Sequence, residues 1–166
     1  MDQIRVLIVD DQRRVREGLK ALLGASTAGT PTHPAIIQVV GQAASGSEAV
    51  RLTGELQPDV VVMDIRMPNM DGLEATRLIK ARWPHTRVIL LTLDADGWRQ
   101  SFAPPADAFL VKGCPSEELL RTVCLKPINS KWDTRIALVA QTQAMRTTSP
   151  GPWRENSFEG TNDSIR

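Results

Sequence analysis

The sequence predicts an α/β protein: a doubly wound parallel sheet of five strands with helices on both faces, followed by an irregular C-terminal tail. Three features carry that expectation. Five short apolar runs are too unbroken to leave a solvent face, helix signals follow them in strict alternation, and acids stand at the C-terminal ends of the first and third runs. Strict β-α alternation is the pattern of a parallel sheet, because each return to the same edge needs a crossover that a helix supplies. With 166 residues, 42% of them hydrophobic, the chain suits one domain with a real core plus an appendage.

Ile4-Arg5-Val6-Leu7-Ile8-Val9 reads as the first strand, buried on both faces and stopping at acids. Asp11 is expected to open a helix in which Val15, Leu19, Leu22 and Leu23 form one apolar stripe, with Gly24 suited to stop it. Residues 24–34, rich in Gly, Thr and Pro, read as a surface insertion. Ile36 to Val40 is the second strand, and Ser45 with Glu48 makes a capping box for a helix over Ala49 to Leu56. After Pro58, Asp59 to Met63 is the third strand and Gly72 to Trp83 the third helix, ended by Pro84.

Arg87 to Leu91 is the fourth strand. The helix after it, Asp96 to Phe102, is short and runs into Pro104-Pro105, which predicts an irregular segment. Ala108 to Val111 is the fifth strand, Pro115 fits a first helical position, and Leu119, Leu120 and Val123 face inward on the fifth helix. Beyond Lys126 the alternation stops. Only Thr134 to Met145 has helical character there, and Thr147 to Pro152 reads as linker. The expected organisation is a domain over 1–125 and a poorly structured tail over 126–166.

Composition excludes several classes. A formal charge of +1 indicates neither a disordered polyelectrolyte nor a basic nucleic-acid surface. Cys114 and Cys124, the two cysteines, lack metal-ligand spacing, and the chain opens on a strand-like run rather than a signal peptide, so a reduced, cytoplasmic protein is expected. No apolar run approaches the ~20 residues that span a bilayer, so no membrane role is expected.

In a parallel sheet all strand C-termini share one edge, where open α/β folds bind ligands. Asp10-Asp11 after the first strand and Asp64 after the third therefore meet there. Two like charges ~5 Å apart repel by roughly 3 kcal/mol at an effective dielectric of ~20. Such a site either holds a proton or takes up a divalent cation, and hard oxygen ligands favour magnesium. Taken singly, Asp10-Asp11 reads as a helix cap beside a solvated acid and Asp64 as a strand-end turn. Lys112 after the fifth strand and Thr92 at the end of the fourth reach the same edge. A cation and a hydroxyl donor beside a metal suit an anion.

These residues resemble the response-regulator receiver domain of two-component signalling. The resemblance rests on Val9-Asp10-Asp11, the run Met63 to Gly72, Leu91-Thr92 and Phe109-Leu110-Val111-Lys112, and covers residues 1 to about 125. Val15-Arg16-Glu17-Gly18-Leu19 and Asp107 to Gly113 look most like the NarL/LuxR-type branch, whose members usually carry a helix-turn-helix output domain. The resemblance implies a flavodoxin-like sheet of order 2-1-3-4-5. It makes Asp64 the acceptor of a phosphoryl group from a phosphohistidine on a sensor histidine kinase. Asp11, Asp64 and the backbone carbonyl of Arg66 would ligate Mg2+, Asp10 would hold a metal-bound water, and Lys112 and Thr92 would contact phosphoryl oxygens. Thr92 and Phe109 would be the switch pair. The face of the fourth helix, fifth strand and fifth helix would bind partners or form a homodimer.

The chain departs from that pattern in three places. Leu93 stands where the family usually has a small residue, which predicts slower phosphodonor access, and Ser101 to Pro105 is atypical in the signalling face. Residues 126–166 lack the length and pattern of an output module, and their six basic and four acidic side chains leave only +2. No autonomous DNA binding is expected. The chain reads either as a regulator shortened or frame-altered in its output half, or as a stand-alone receiver with an added tail. Two other classes compete. A phosphatase resembling haloacid dehalogenases would need an Asp at position 66, which is Arg66. A phosphorylation-independent binding module would have a vestigial pocket.

Overall fold

Five strands, β1 (Gln3–Val9), β2 (Ile36–Ala43), β3 (Val60–Asp64), β4 (Arg87–Thr92) and β5 (Ala108–Val111), pair in parallel in the order β2-β1-β3-β4-β5. Among the described residues four helices accompany them: α1 (Arg13–Ala25), α2 (Gly46–Leu56), α3 (Gly72–Arg82) and α4 (Ser116–Cys124). This computed structural model describes residues 3–25, 35–93 and 105–125. The expected helix over Asp96 to Phe102, most of the expected insertion, and the whole expected tail with its helix and linker lie outside the described residues.

The unbroken apolar runs are explained by a core on each face of the sheet. Alternate strand residues Val6, Ile8, Val60, Val62, Ile89 and Leu91 meet Leu23 of α1 and Leu119 and Val123 of α4. Their neighbours Leu7, Val9, Val61, Met63, Val88 and Leu90 meet Ala49 of α2 and Ala75 and Ile79 of α3. All five residues of β3 are buried. The period of two thus sends successive side chains into two different cores, which removes the polar face a one-sided strand would show.

Several boundaries differ from expectation for local reasons. α1 begins at Arg13 rather than Asp11, because the first turn is organised by the carbonyl of Gln12, which accepts from the N–H groups of Val15 and Arg16. Gly24 lies inside α1, which continues to Ala25, so the glycine does not stop it. β2 extends to Ala43 past a register shift opposite Val6 and Leu7. A Cβ on Gly41 would lie 2.7 Å from Leu56 Cδ1, so the small residue lets α2 close on the strand. Pro115 is the N-cap of α4, one position before the helix.

The capping box expected at Ser45 and Glu48 forms. Ser45 accepts from the Glu48 N–H at 3.2 Å, while Glu48 reaches back to the N–H of Ala44 at 2.8 Å. Asp71 caps α3 by accepting from Glu74 N–H at 2.7 Å. At the opposite edge of the sheet from the acids, the Arg87 guanidinium donates to the carbonyls of Thr122, Val123 and Leu125, closing the C-terminus of α4.

Candidate functional site: an acidic pocket with a lysine

The order reverses between β1 and β3, whose other neighbours lie on opposite sides, so a crevice opens at their C-terminal ends. Asp10 follows β1 and is fully buried; Asp64 ends β3 at 5% exposure; Asp11 is exposed. Ligand oxygens of the three carboxylates lie within 4.8 Å of one another. Lys112, just past β5, reaches over the end of β4 to place its ammonium 2.7 Å from Asp10 Oδ2 and 2.8 Å from Asp64 Oδ2.

Each acid is held by backbone as well. Asp10 Oδ1 accepts from Gln12 N–H at 2.9 Å, and Asp64 Oδ1 from Arg66 N–H at 3.3 Å. The loop after Asp64 folds back tightly, with Gly72 N–H donating to the Ile65 carbonyl at 2.8 Å. A Cβ on Gly72 would strike the Asp64 carbonyl oxygen, so glycine is needed there for close approach. Asn69 takes the left-handed conformation, φ 67°, within the same loop.

Burial alone would lower the Lys112 pKa, but its hydrogen bonds to Asp10 and Asp64, with their charges, outweigh that and raise it above the ordinary lysine value. The ammonium therefore serves as a counter-charge at neutral pH. Burial pushes both cysteine thiols up, Cys114 further through Glu118, so neither is an activated nucleophile.

The structure thus brings Asp10, Asp11, Asp64 and Lys112 into one cluster. Thr92 stands at the end of β4, buried, with its carbonyl accepting from Lys112 N–H at 2.6 Å. Phe109 is half-buried, pairs in register with Leu90, and packs on the core under α2 and α3. By strand alternation Thr92 and Phe109 share one face of the sheet. Arg66 has an exposed side chain and meets the cluster through its backbone. Leu93 is 71% exposed, so most of its side chain lies in solvent.

Two contributors carried no assigned role in the sequence: Gly72, whose need appears only when α3 packs on Asp64, and Arg16, whose guanidinium holds backbone carbonyls of the acidic loop. A glycine after Asp71 was a visible signal. For Arg16 there was none.

Fold and site together define an open α/β signalling module whose strand ends hold an acid cluster and one lysine. The chain belongs to the response regulator receiver domain family, matching that description over residues 6–124. It is 39% identical over 120 residues to the transcriptional regulatory protein YdfI of Bacillus subtilis (strain 168), covering 72% of this chain and 53% of that protein. It is 40% identical over 118 residues to LiaR of the same organism, covering 70% of this chain and 52% of that protein. The chain spans about half the length of the curated relatives it matches. Among solved structures, a LuxR-family two-component response regulator from Aurantimonas sp. SI85-9A1 has a TM-score of 0.67 and 28% identity, covering 86% of this chain and 99% of that one. CheX-CheY-BeF3-Mg+2 from Borrelia burgdorferi gives 0.62 and 25%, covering 74% of this chain and 90% of that one. Among the described residues no helix is long and apolar enough to cross a membrane.

Proposed function

We propose that this receiver domain accepts a phosphoryl group on Asp64 from the phosphohistidine of a sensor histidine kinase. The observation that carries this is the convergence of Asp10, Asp11 and Asp64 with the Lys112 ammonium 2.8 Å from Asp64. In the transfer an Asp64 carboxylate oxygen bonds to phosphorus, the donor P–N bond breaks with its electron pair returning to the ring nitrogen, and the imidazole, already protonated on its other nitrogen, leaves neutral. Lys112 stays protonated and turns to the phosphoryl oxygens, while Thr92 supplies a hydroxyl donor.

The donor set fits Mg2+: three hard carboxylates on one open edge. Asp11, Asp64 and the Arg66 carbonyl would hold it, with Asp10 on a bound water. When bound, the ion supplies charge that neutralises the oxygens of the transferring group. The likeness to a CheY solved in complex with CheX, BeF3 and Mg+2 supports magnesium as the ion here.

Thr92 and Phe109, on one face of the sheet, would change state together and report phosphorylation to the surface around β5, where a partner or second copy binds. The protein is a phosphoacceptor that assists its own phosphorylation and dephosphorylation, without turnover of a separate substrate, and works in the cytoplasm. Residues 1–125 form the receiver and 126–166 a tail without DNA-binding function of its own. Sequence-specific DNA binding by the chain, surviving moderate salt, would refute that last point.

The test is incubation with magnesium and acetyl phosphate, wild type against Asp64→Asn, on a phosphate-affinity gel. A shifted wild-type band that Asp64→Asn lacks is expected. An unshifted wild type sinks the reading.

A further inference from the structure

We infer that Arg16 is a positioning residue that orients Asp10 and Asp11 for a divalent cation; this rests on the proposed function and deepens it. One Nη1 of Arg16 donates to the Asp10 carbonyl at 2.7 Å and to the Asp11 carbonyl at 3.3 Å. The side chain is half-buried.

The two acids depend on this contact unequally. Asp10 is also fixed by its N–H on the Ala43 carbonyl, by Gln12 N–H and by Lys112. Asp11 is exposed, and among the described residues the Arg16 guanidinium is its one hydrogen-bond partner. Without Arg16, the peptide that aims the Asp11 carboxylate would have to be ordered by the cation itself, and binding would weaken by the entropy of that ordering.

Local propensity argues against a merely helical role. The positive end of a helix dipole disfavours cations, yet the first turn of α1 carries Arg13, Arg14 and Arg16 and no acid. Such a conflict between local preference and sequence is expected where a residue serves a site.

The sign of the effect separates positioning from charge. A guanidinium near the site repels a divalent cation, so removing its charge alone would tighten binding. Loss of positioning weakens it, and loss of outer-shell partners typically costs 10–100-fold in metal affinity.

The experiment titrates MgCl2 calorimetrically into the full chain as wild type, Arg16→Met and Arg16→Lys. Arg16→Met should bind Mg2+ about tenfold more weakly. Arg16→Lys, which keeps the charge on a side chain one atom too short to reach both carbonyls, should fall between the two, and labelling of Arg16→Met by acetyl phosphate should recover at high magnesium. Equal or tighter binding by Arg16→Met overturns the inference. If circular dichroism shows Arg16→Met unfolded, unchanged affinity in Arg16→Lys overturns it instead. A wild type that takes the phosphoryl group while Arg16→Met keeps its Mg2+ affinity removes this inference alone; a wild type that binds no Mg2+ removes both.

Discussion

Lys112 Nζ stands 2.8 Å from Asp64 Oδ2, joining the end of β5 to the end of β3 across β4, which lies between them. The same ammonium meets Asp10 at 2.7 Å, so one cation neutralises acids delivered by two other strands. Three strand ends separated in sequence are thereby tied at one point. Two consequences of that contact are open to measurement.

Removing that cation leaves two buried carboxylates without a counter-charge. Lys112→Met should destabilise the protein by about 2 kcal/mol, less than the roughly 3–5 kcal/mol of a fully buried pair because Lys112 keeps some access to water. Magnesium should restore more stability to the variant than to the wild type. Urea denaturation with and without Mg2+ reads both; a variant insensitive to magnesium would count against a cation site at these acids.

The ion pair also sets a pH dependence. Because the Lys112 pKa is raised on folding, its contribution is fully present below the ordinary lysine pKa and lost only as pH climbs through the higher folded value. The stability gap between wild type and Lys112→Met should stay level from neutral pH to the ordinary lysine range and close above it. A gap that closes below that range would contradict the raised value. With no tyrosine in the chain, alkaline fluorescence and absorbance are free of phenol ionisation.

Gly72 and Gly18 should respond to alanine with opposite sign. At Gly72 a Cβ meets the Asp64 carbonyl, so Gly72→Ala should cost about 1–3 kcal/mol by overpacking and disturb phosphoryl acceptance. At Gly18, in the middle of α1, nothing lies within 4 Å of a new Cβ. Gly18→Ala should therefore stabilise by about 0.5–1 kcal/mol. Thermal melts of the two variants decide both signs.

Arg87 closes the last described helix. Arg87→Met leaves the carbonyls of Thr122, Val123 and Leu125 without its guanidinium, and should cost about 2 kcal/mol while fraying α4. Amide exchange in 119–125 should accelerate while β3 stays protected. Uniform acceleration across both would show global loss instead of a local cap.

Most of the architecture was legible because the signals were local. Unbroken apolar runs marked strands buried on both faces, and Ser45 with Glu48 marked a helix start that the structure closes with hydrogen bonds at both residues. The misplaced boundaries have separate causes. Gly24 reads as a stop, but the apolar stripe ending in Leu23 stays docked on the sheet and carries the helix to Ala25. Pro115 fits a first helical turn, yet sits at the cap with its carbonyl accepting from Glu118 N–H.

By itself the sequence determined which chemistry was available: acids after the first and third strands, a threonine after the fourth, a lysine after the fifth, all on one edge because parallel strands share a direction. Only the tertiary structure decided their distances and supports. Lys112 bridges Asp10 and Asp64, Gly72 admits the Asp64 carbonyl, and Arg16 holds the Asp11 peptide. The reason is physical: strand period and direction are properties of the local chain, whereas a hydrogen bond between residues far apart in sequence exists only once helix and sheet have packed.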